Sequence, residues 1–164
     1  MAPSTRFQMV KLSPSRKAEL LDETRWSNDL QWRDIQVISK YMTLYNVLKG
    51  TTIFKQGDRN LFMGLIKKGE VAVLKEDSEH ENRVLATIGK DRTLGEMALI
   101  DGEPRSATAI TAQDSVMFVL SKDKFEKMAD NDPKAWGCLL LKISKLMSQR
   151  LRKASGELMD SLPS

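Results

Sequence analysis

Between Leu48 and Leu120 the chain runs as a series of short β-branched or apolar segments broken by turn residues. Thr51, Ile53 and Phe54 lead, followed by Leu65 and Ile66, then Val71, Val73 and Leu74. Val84 to Ile88, Ala107 to Ile110 and Ser115 to Leu120 complete it. Gln56-Gly57-Asp58, Lys68-Gly69 and the polar loop Asp77 to Asn82 stand between the runs. Six or so short strands at close spacing, with turn chemistry between them, predict a closed or sandwiched antiparallel β unit. The expected fold is therefore mainly β, an antiparallel β-barrel or jelly roll, with an N-terminal helix and a long C-terminal helix.

The flanks read as helix and arm. Residues 1–26 are polar, with Pro3 and Pro14, and predict a loosely ordered arm in which Arg16 to Thr24 forms at most a turn or two of helix. Ser27 is a candidate N-cap for a helix within 27–47 that carries Leu30, Ile35, Ile38 and Met42 on one face. The β unit is assigned to 48–120, and 121–164 to C-terminal helices and a tail. Asp123 to Ala129 forms a short helix there. Asp132 as N-cap and Pro133 at the first helical position then open a second helix reaching about Ser155 or beyond, a length of about 30 Å or more.

Composition narrows the chemistry. With 164 residues, 41% hydrophobic and 29% charged, the chain suits one domain with a proper core. A net charge of +4 does not by itself argue for nucleic acid. The lone Cys138 allows no internal disulfide, and with the lone His80 it makes no zinc cluster. Cys138 lies in the apolar run Trp136 to Leu141, which reads as a buried, inert thiol, and His80 sits in a polar loop, which reads as solvent-exposed. A jelly-roll metalloenzyme needs a histidine-rich site this chain lacks, so no enzyme activity and no metal are expected. Residues 1–11 lack the apolar stretch of a signal peptide, and no run reaches the eighteen or so apolar residues of a membrane helix. The expectation is a cytoplasmic chain that engages no membrane.

The most informative stretch is 95–108, Gly-Glu-Met-Ala-Leu-Ile-Asp-Gly-Glu-Pro-Arg-Ser-Ala-Thr. Gly95 and Gly102 bracket about one helical turn, Glu96 to Ile100, whose unpaired N–H groups face an anion. Pro104 fixes the chain before Arg105, and Ser106-Ala107-Thr108 lead into a strand. An Arg that forks onto two phosphate oxygens and a Glu that accepts from a hydroxyl form a compact receptor for a phosphate joined to a diol. The bland alternatives for Glu96 and Arg105 are a salt bridge between them or two solvated charges.

This stretch resembles the phosphate-binding cassette of cyclic-nucleotide-binding domains, whose pattern is Gly-Glu-x-Ala-Leu, a short spacer, then Pro-Arg-x-Ala-Thr. The resemblance covers about residues 30–155 and takes in Phe54 to Asp58, Lys68-Gly69-Glu70, Phe125 and Asn131-Asp132-Pro133. It departs from the pattern in the turn before the cassette. There Asp91 replaces a Gly, Arg92 stands where an acid is common, and Leu94 replaces an aromatic. Asp tolerates left-handed backbone better than most residues, and Leu94 can still plug the core.

The resemblance implies a free-standing cyclic-nucleotide receptor, for cyclic AMP first and cyclic GMP second. Arg105 would hold the phosphate and Glu96 the ribose, with Gly95, Met97, Ala98, Ser106 and Ala107 completing the ligand-binding set. Ser106 does not decide between adenine and guanine. The expected partners are the nucleotide and an effector protein signalled through ligand-dependent movement of the C-terminal helices, with no cofactor and no nucleic acid. The alternative is a protein-interaction module that kept the fold without the ligand. Lys142, Lys145, Arg150, Arg152 and Lys153 read as a solvated helix face. Leu140, Met147, Leu151, Ala154 and Leu158 form a stripe that packs on the β unit or pairs in a homodimer through residues 134–159. Leu151 or Ala154 is the expected apolar group to stack on the ligand.

Overall fold

The computed structural model describes residues 6–163, so the first five residues of the expected arm and Ser164 lie outside the described residues. Among the described residues nine strands form two antiparallel sheets. The first has the order β1 (Phe7–Met9), β2 (Thr43–Val47), β9 (Ser115–Ser121), β4 (Phe62–Lys68), β7 (Thr93–Leu94). The second has the order β3 (Thr52–Phe54), β8 (Thr108–Thr111), β5 (Val71–Glu76), β6 (Asn82–Ile88). The result is a β-sandwich of the jelly-roll kind with helices on one side. These are α1 (Pro14–Asp22), α2 (Trp32–Tyr41), α4 (Lys122–Asn131) and the long α5 (Pro133–Ser161), while the short α3 (Glu96–Asp101) lies in the loop between β7 and β8.

The period of two along the central strands generates this layering. In β9, Phe118 and Leu120 belong to the core against the helices, while Met117 belongs to the core between the sheets. In β4, Met63 and Leu65 face the helices and Ile66 faces the second sheet. The first sheet is thus buried on both faces. Its helical side is closed by Ile35 and Ile38 of α2, Phe125 and Met128 of α4, and Leu139 and Ile143 of α5.

Several expectations need correction. The arm is not loose over its described part. Residues 7–9 pair with β2, Phe7 opposite Val47, and α1 buries Ala18 and Leu21. A short helix with two apolar positions on one face docks despite its polar composition, and Ser13 caps it by accepting from the Arg16 N–H at 3.2 Å. The helix expected within 27–47 is shorter, because Thr43–Val47 is a strand between β1 and β9. Ser27 does not cap it either. Its hydroxyl donates within a 3-10 turn, to the carbonyls of Leu21, Asp22 and Thr24 at 2.8–3.1 Å.

The C-terminal half follows the reading more closely. Pro133 opens α5, which runs 29 residues, about 43 Å. The joint with α4 is one residue, Asp132, in non-helical backbone (φ −137°, ψ 61°). Asp132 does not cap through its side chain. Its carboxylate accepts from the Tyr41 hydroxyl of α2 at 2.6 Å, which fastens the joint to the helical layer and pushes the phenol pKa up.

Phe118 is fully buried at the centre of the doubly covered sheet, whereas Leu85 on the edge strand β6 is 60% exposed. In a denaturant titration Phe118→Ala is expected to remove about 3–5 kcal/mol of unfolding free energy. Leu85→Ala should stay within about 0.5 kcal/mol of the parent.

Candidate functional site

The loop from β6 to β8 is shaped by backbone that few residues adopt. Asp91 stands at φ +65°, and its N–H donates to the Ile66 carbonyl at 2.7 Å while the Ile66 N–H donates to the Arg92 carbonyl at 3.0 Å. The turn is therefore kept with Asp in the left-handed position, and Leu94 is buried between the sheets. Gly95 follows at φ +75° and starts α3 with no side-chain cap. A Cβ on Gly95 would sit 2.5 Å from Arg105 Nη1 and 2.8 Å from the Phe62 carbonyl oxygen, so only glycine leaves room for the arginine.

Arg105 is held from three sides. Its backbone is laced to the Gln56-Gly57-Asp58 turn: the Gly57 N–H donates to its carbonyl at 2.8 Å, and its N–H donates to the Asp58 carbonyl at 2.9 Å. The guanidinium donates to the carbonyls of Gly95 (3.1 Å), Asn60 (2.9 Å) and Phe62 (2.7 Å). It also lies 4.0 Å and 4.6 Å from the ring centroids of Phe54 and Phe62. The residue is 4% exposed, and Nε is buried without a partner. Burial pulls its pKa down to about 10, a direction Asp58 opposes, so it remains a cation at neutral pH.

Glu96, at the start of α3, is 1% exposed. It does not pair with Arg105. Its Oε1 forms an ion pair with Nη1 of Arg150, from α5, and its Oε2 is buried without a partner. Arg150 also donates to the Thr93 carbonyl at 3.0 Å.

Glu96, Arg105 and Arg150 meet at one cavity of about 210 Å³. Phe54, Val73, Ile88 and Leu94 supply apolar wall, and all seven residues named from the sequence (Gly95, Glu96, Met97, Ala98, Arg105, Ser106 and Ala107) line it. An apolar wall with a buried cation, a buried carboxylate and a few small residues suits a small ligand that carries an anion and a hydroxyl.

Sequence reasoning missed Arg150. It does not belong to a solvated face, as Lys145, Arg152 and Lys153 do. Its position a turn beyond Met147, which packs on the core, was the available signal. Lys142 is also engaged, pairing with Asp29 and lying over Trp26. The stacking role expected of Leu151 or Ala154 has no support here, because both are exposed and neither lines the cavity. Cys138 is half-buried rather than enclosed. Its thiol lies 3.7 Å from the Asp34 carboxylate, and burial together with that carboxylate pushes its pKa up. Among the described residues no group of His, Cys, Asp and Glu could hold a metal ion, and no helix is long and apolar enough to cross a membrane.

The fold and the cavity together define a β-sandwich module whose cavity is lined by a glutamate that starts a short loop helix and an arginine that follows that helix. The chain belongs to the cyclic nucleotide-binding domain family, whose sequence model matches residues 45–132. It is 29% identical over 110 residues to the cyclic AMP receptor protein of Thermus thermophilus, covering 67% of this chain and 49% of that protein. It is 33% identical over 82 residues to a cAMP-dependent protein kinase regulatory subunit of Eremothecium gossypii, covering 50% of this chain and 17% of that protein. The chain therefore spans about half or less of the length of these curated relatives. In fold it resembles a cyclic nucleotide-binding domain from Methylobacillus flagellatus, with a TM-score of 0.83 at 22% identity, covering 100% of this chain and 94% of that one.

Two glycines with the same backbone sign give a test of the site's packing. Gly102 is at φ +69°, and a Cβ there would meet nothing within 4 Å, so Gly102→Ala should cost only the backbone penalty, about 1–2 kcal/mol. Gly95→Ala adds the collision with Arg105 and Phe62, and thermal unfolding should show a clearly larger loss of stability.

Proposed function

We propose that the cavity binds a cyclic nucleotide, cyclic AMP ahead of cyclic GMP, and that the chain acts as a receptor rather than a catalyst. The observation that carries this reading is a pair of buried, uncommitted polar atoms on one cavity, Arg105 Nε and Glu96 Oε2. Buried polar groups in folded proteins are satisfied in the great majority of cases, so two such atoms lining one cavity support a ligand there. Arg105 is a buried cation with no ion pair among the described residues, and a phosphate supplies the missing anion. Glu96 keeps Oε2 for a ribose hydroxyl. Gly95, Met97, Ala98, Ser106 and Ala107 form the wall around these contacts, and Phe54, Val73, Ile88 and Leu94 offer apolar surface for the rest of the nucleotide. The adenine preference rests on the two relatives named for cyclic AMP.

The output runs through α5 to an effector protein. The helix forms part of the cavity wall through Arg150 and continues well beyond the sandwich. Its exposed Leu151, Leu158 and Met159 offer an apolar surface for a second copy or the effector. A homodimer through residues 134–159 is expected by light scattering, with Leu151→Glu giving monomers. A parent that is monomeric at high micromolar concentration removes the dimer from the reading.

Isothermal titration with cyclic AMP and cyclic GMP tests the function directly. Arg105→Ala is expected to lower affinity between about thirtyfold and several thousandfold, the cost of removing one partner of a desolvated charge pair. Because Arg105 also ties three carbonyls together, the variant's thermal unfolding is measured alongside, with Arg105→Lys as the milder change. A 2′-deoxy cyclic nucleotide should bind about ten- to a hundredfold more weakly than its parent, and Glu96→Gln should shrink that difference.

The carbonyl bonds of Arg105 favour one second reading, in which the arginine is a purely structural cation and the module binds protein partners without nucleotide. Absence of binding by either nucleotide, in a folded parent, selects it.

A further inference from the structure

The helix α5 leaves the body of the protein in a definite order. Leu139 and Ile143 are buried, Met147 packs on the edge of the core, and Arg150 is the last partly covered residue before Leu151 to Ser161 run exposed. Arg150 is thus the final attachment of the helix, about 25 Å along its axis from Pro133. Its ion pair and its hydrogen bond both go to the segment that carries the cassette, to the Glu96 carboxylate and the Thr93 carbonyl. Burial and the like charge of Arg92 both lower the Arg150 pKa.

We propose that Arg150 is a positioning residue of the nucleotide site: it holds Oε1 of Glu96 so that Oε2 faces the ribose, and by the same contact ties α5 to the state of the cassette. This rests on the cyclic-nucleotide reading above. The geometry favours sharing over competition. A ribose hydroxyl and the guanidinium approach different oxygens of one carboxylate, so ligand need not expel Arg150. Linkage then works in both directions. If fastening α5 favours the ligand-ready orientation of Glu96, ligand favours the fastened helix by the same factor.

The test combines two measurements on the full chain, with Arg150→Ala and Arg150→Lys beside the parent. In ligand-free amide hydrogen exchange, Arg150→Ala should speed exchange in residues 144–154, whereas Arg150→Lys should stay near the parent. In calorimetric titration, Arg150→Ala should bind cyclic AMP about tenfold more weakly, within the range of ordinary coupling between sites. It should also lose much of its discrimination against 2′-deoxy cyclic AMP, which a helix anchor without a role at the ribose would leave unchanged. Arg150→Lys should restore most of both. Arg150→Ala binding with parent affinity and parent discrimination overturns the proposal, as does tighter binding, which would make Arg150 a competitor of the ligand. The receptor reading fails separately, if the folded parent binds neither nucleotide. That outcome also removes the ribose role of Arg150 and leaves ligand-free exchange to decide the attachment alone.

Discussion

A guanidinium at 4% exposure, with three carbonyls around it and two edge-to-face aromatic rings beside it, organises the cavity end of this molecule. Burying a cation without a carboxylate in contact is costly unless many partial charges converge on it. Here they come from separate parts of the chain: Asn60 just before β4, Phe62 at its first position, and Gly95 just before α3. The rings of Phe54 and Phe62 add attraction that is strongest where water is excluded. Gly95 has no side chain because the arginine takes that space, and the Gln56-Gly57-Asp58 turn is laced to the backbone on the other side. The loop conformation, the bare glycine and the aromatic pair are consequences of one buried charge.

The sandwich serves that charge by being rigid beneath it. The sheet that carries β4 and β7 is covered on both faces, so the carbonyls aimed at Arg105 sit on backbone with little freedom to move. A loop borne on such a base can hold uncommitted donors and acceptors without collapsing onto them. The same base positions Leu94, which fills the space left by Gly64. A Cβ there would meet Met117 at 2.5 Å and Leu94 at 3.2 Å.

Much of this was legible in the sequence. Alternation in the runs from Leu65 to Leu120 and the turn residues between them carried the sandwich, and the pattern from Gly95 to Thr108 carried the cavity wall. What was not legible has physical reasons. Thr43 to Val47 continues an amphipathic helical pattern, and only its pairing with β9 makes it a strand, a tertiary choice that local preference does not contain. The polar arm hides buried side chains, among them Ala18 and Leu21 of α1, whose value depends on α2 packing against them. Glu96 and Arg105 were readable as two polar residues of one cavity. That Glu96 instead contacts an arginine 54 positions along the chain depends on the path of α5, and no local spacing records that path.

The long helix has a mechanical consequence. Along its length of about 43 Å, α5 is held by Ala135, Leu139 and Ile143 in the core and last tied at Arg150, and Leu151 to Ser161 project beyond that tie as an exposed arm of about 16 Å. Exposed Leu151, Leu158 and Met159 ride on that arm, so anything that covers them would be held at a distance from the sandwich fixed by the length of a single helix.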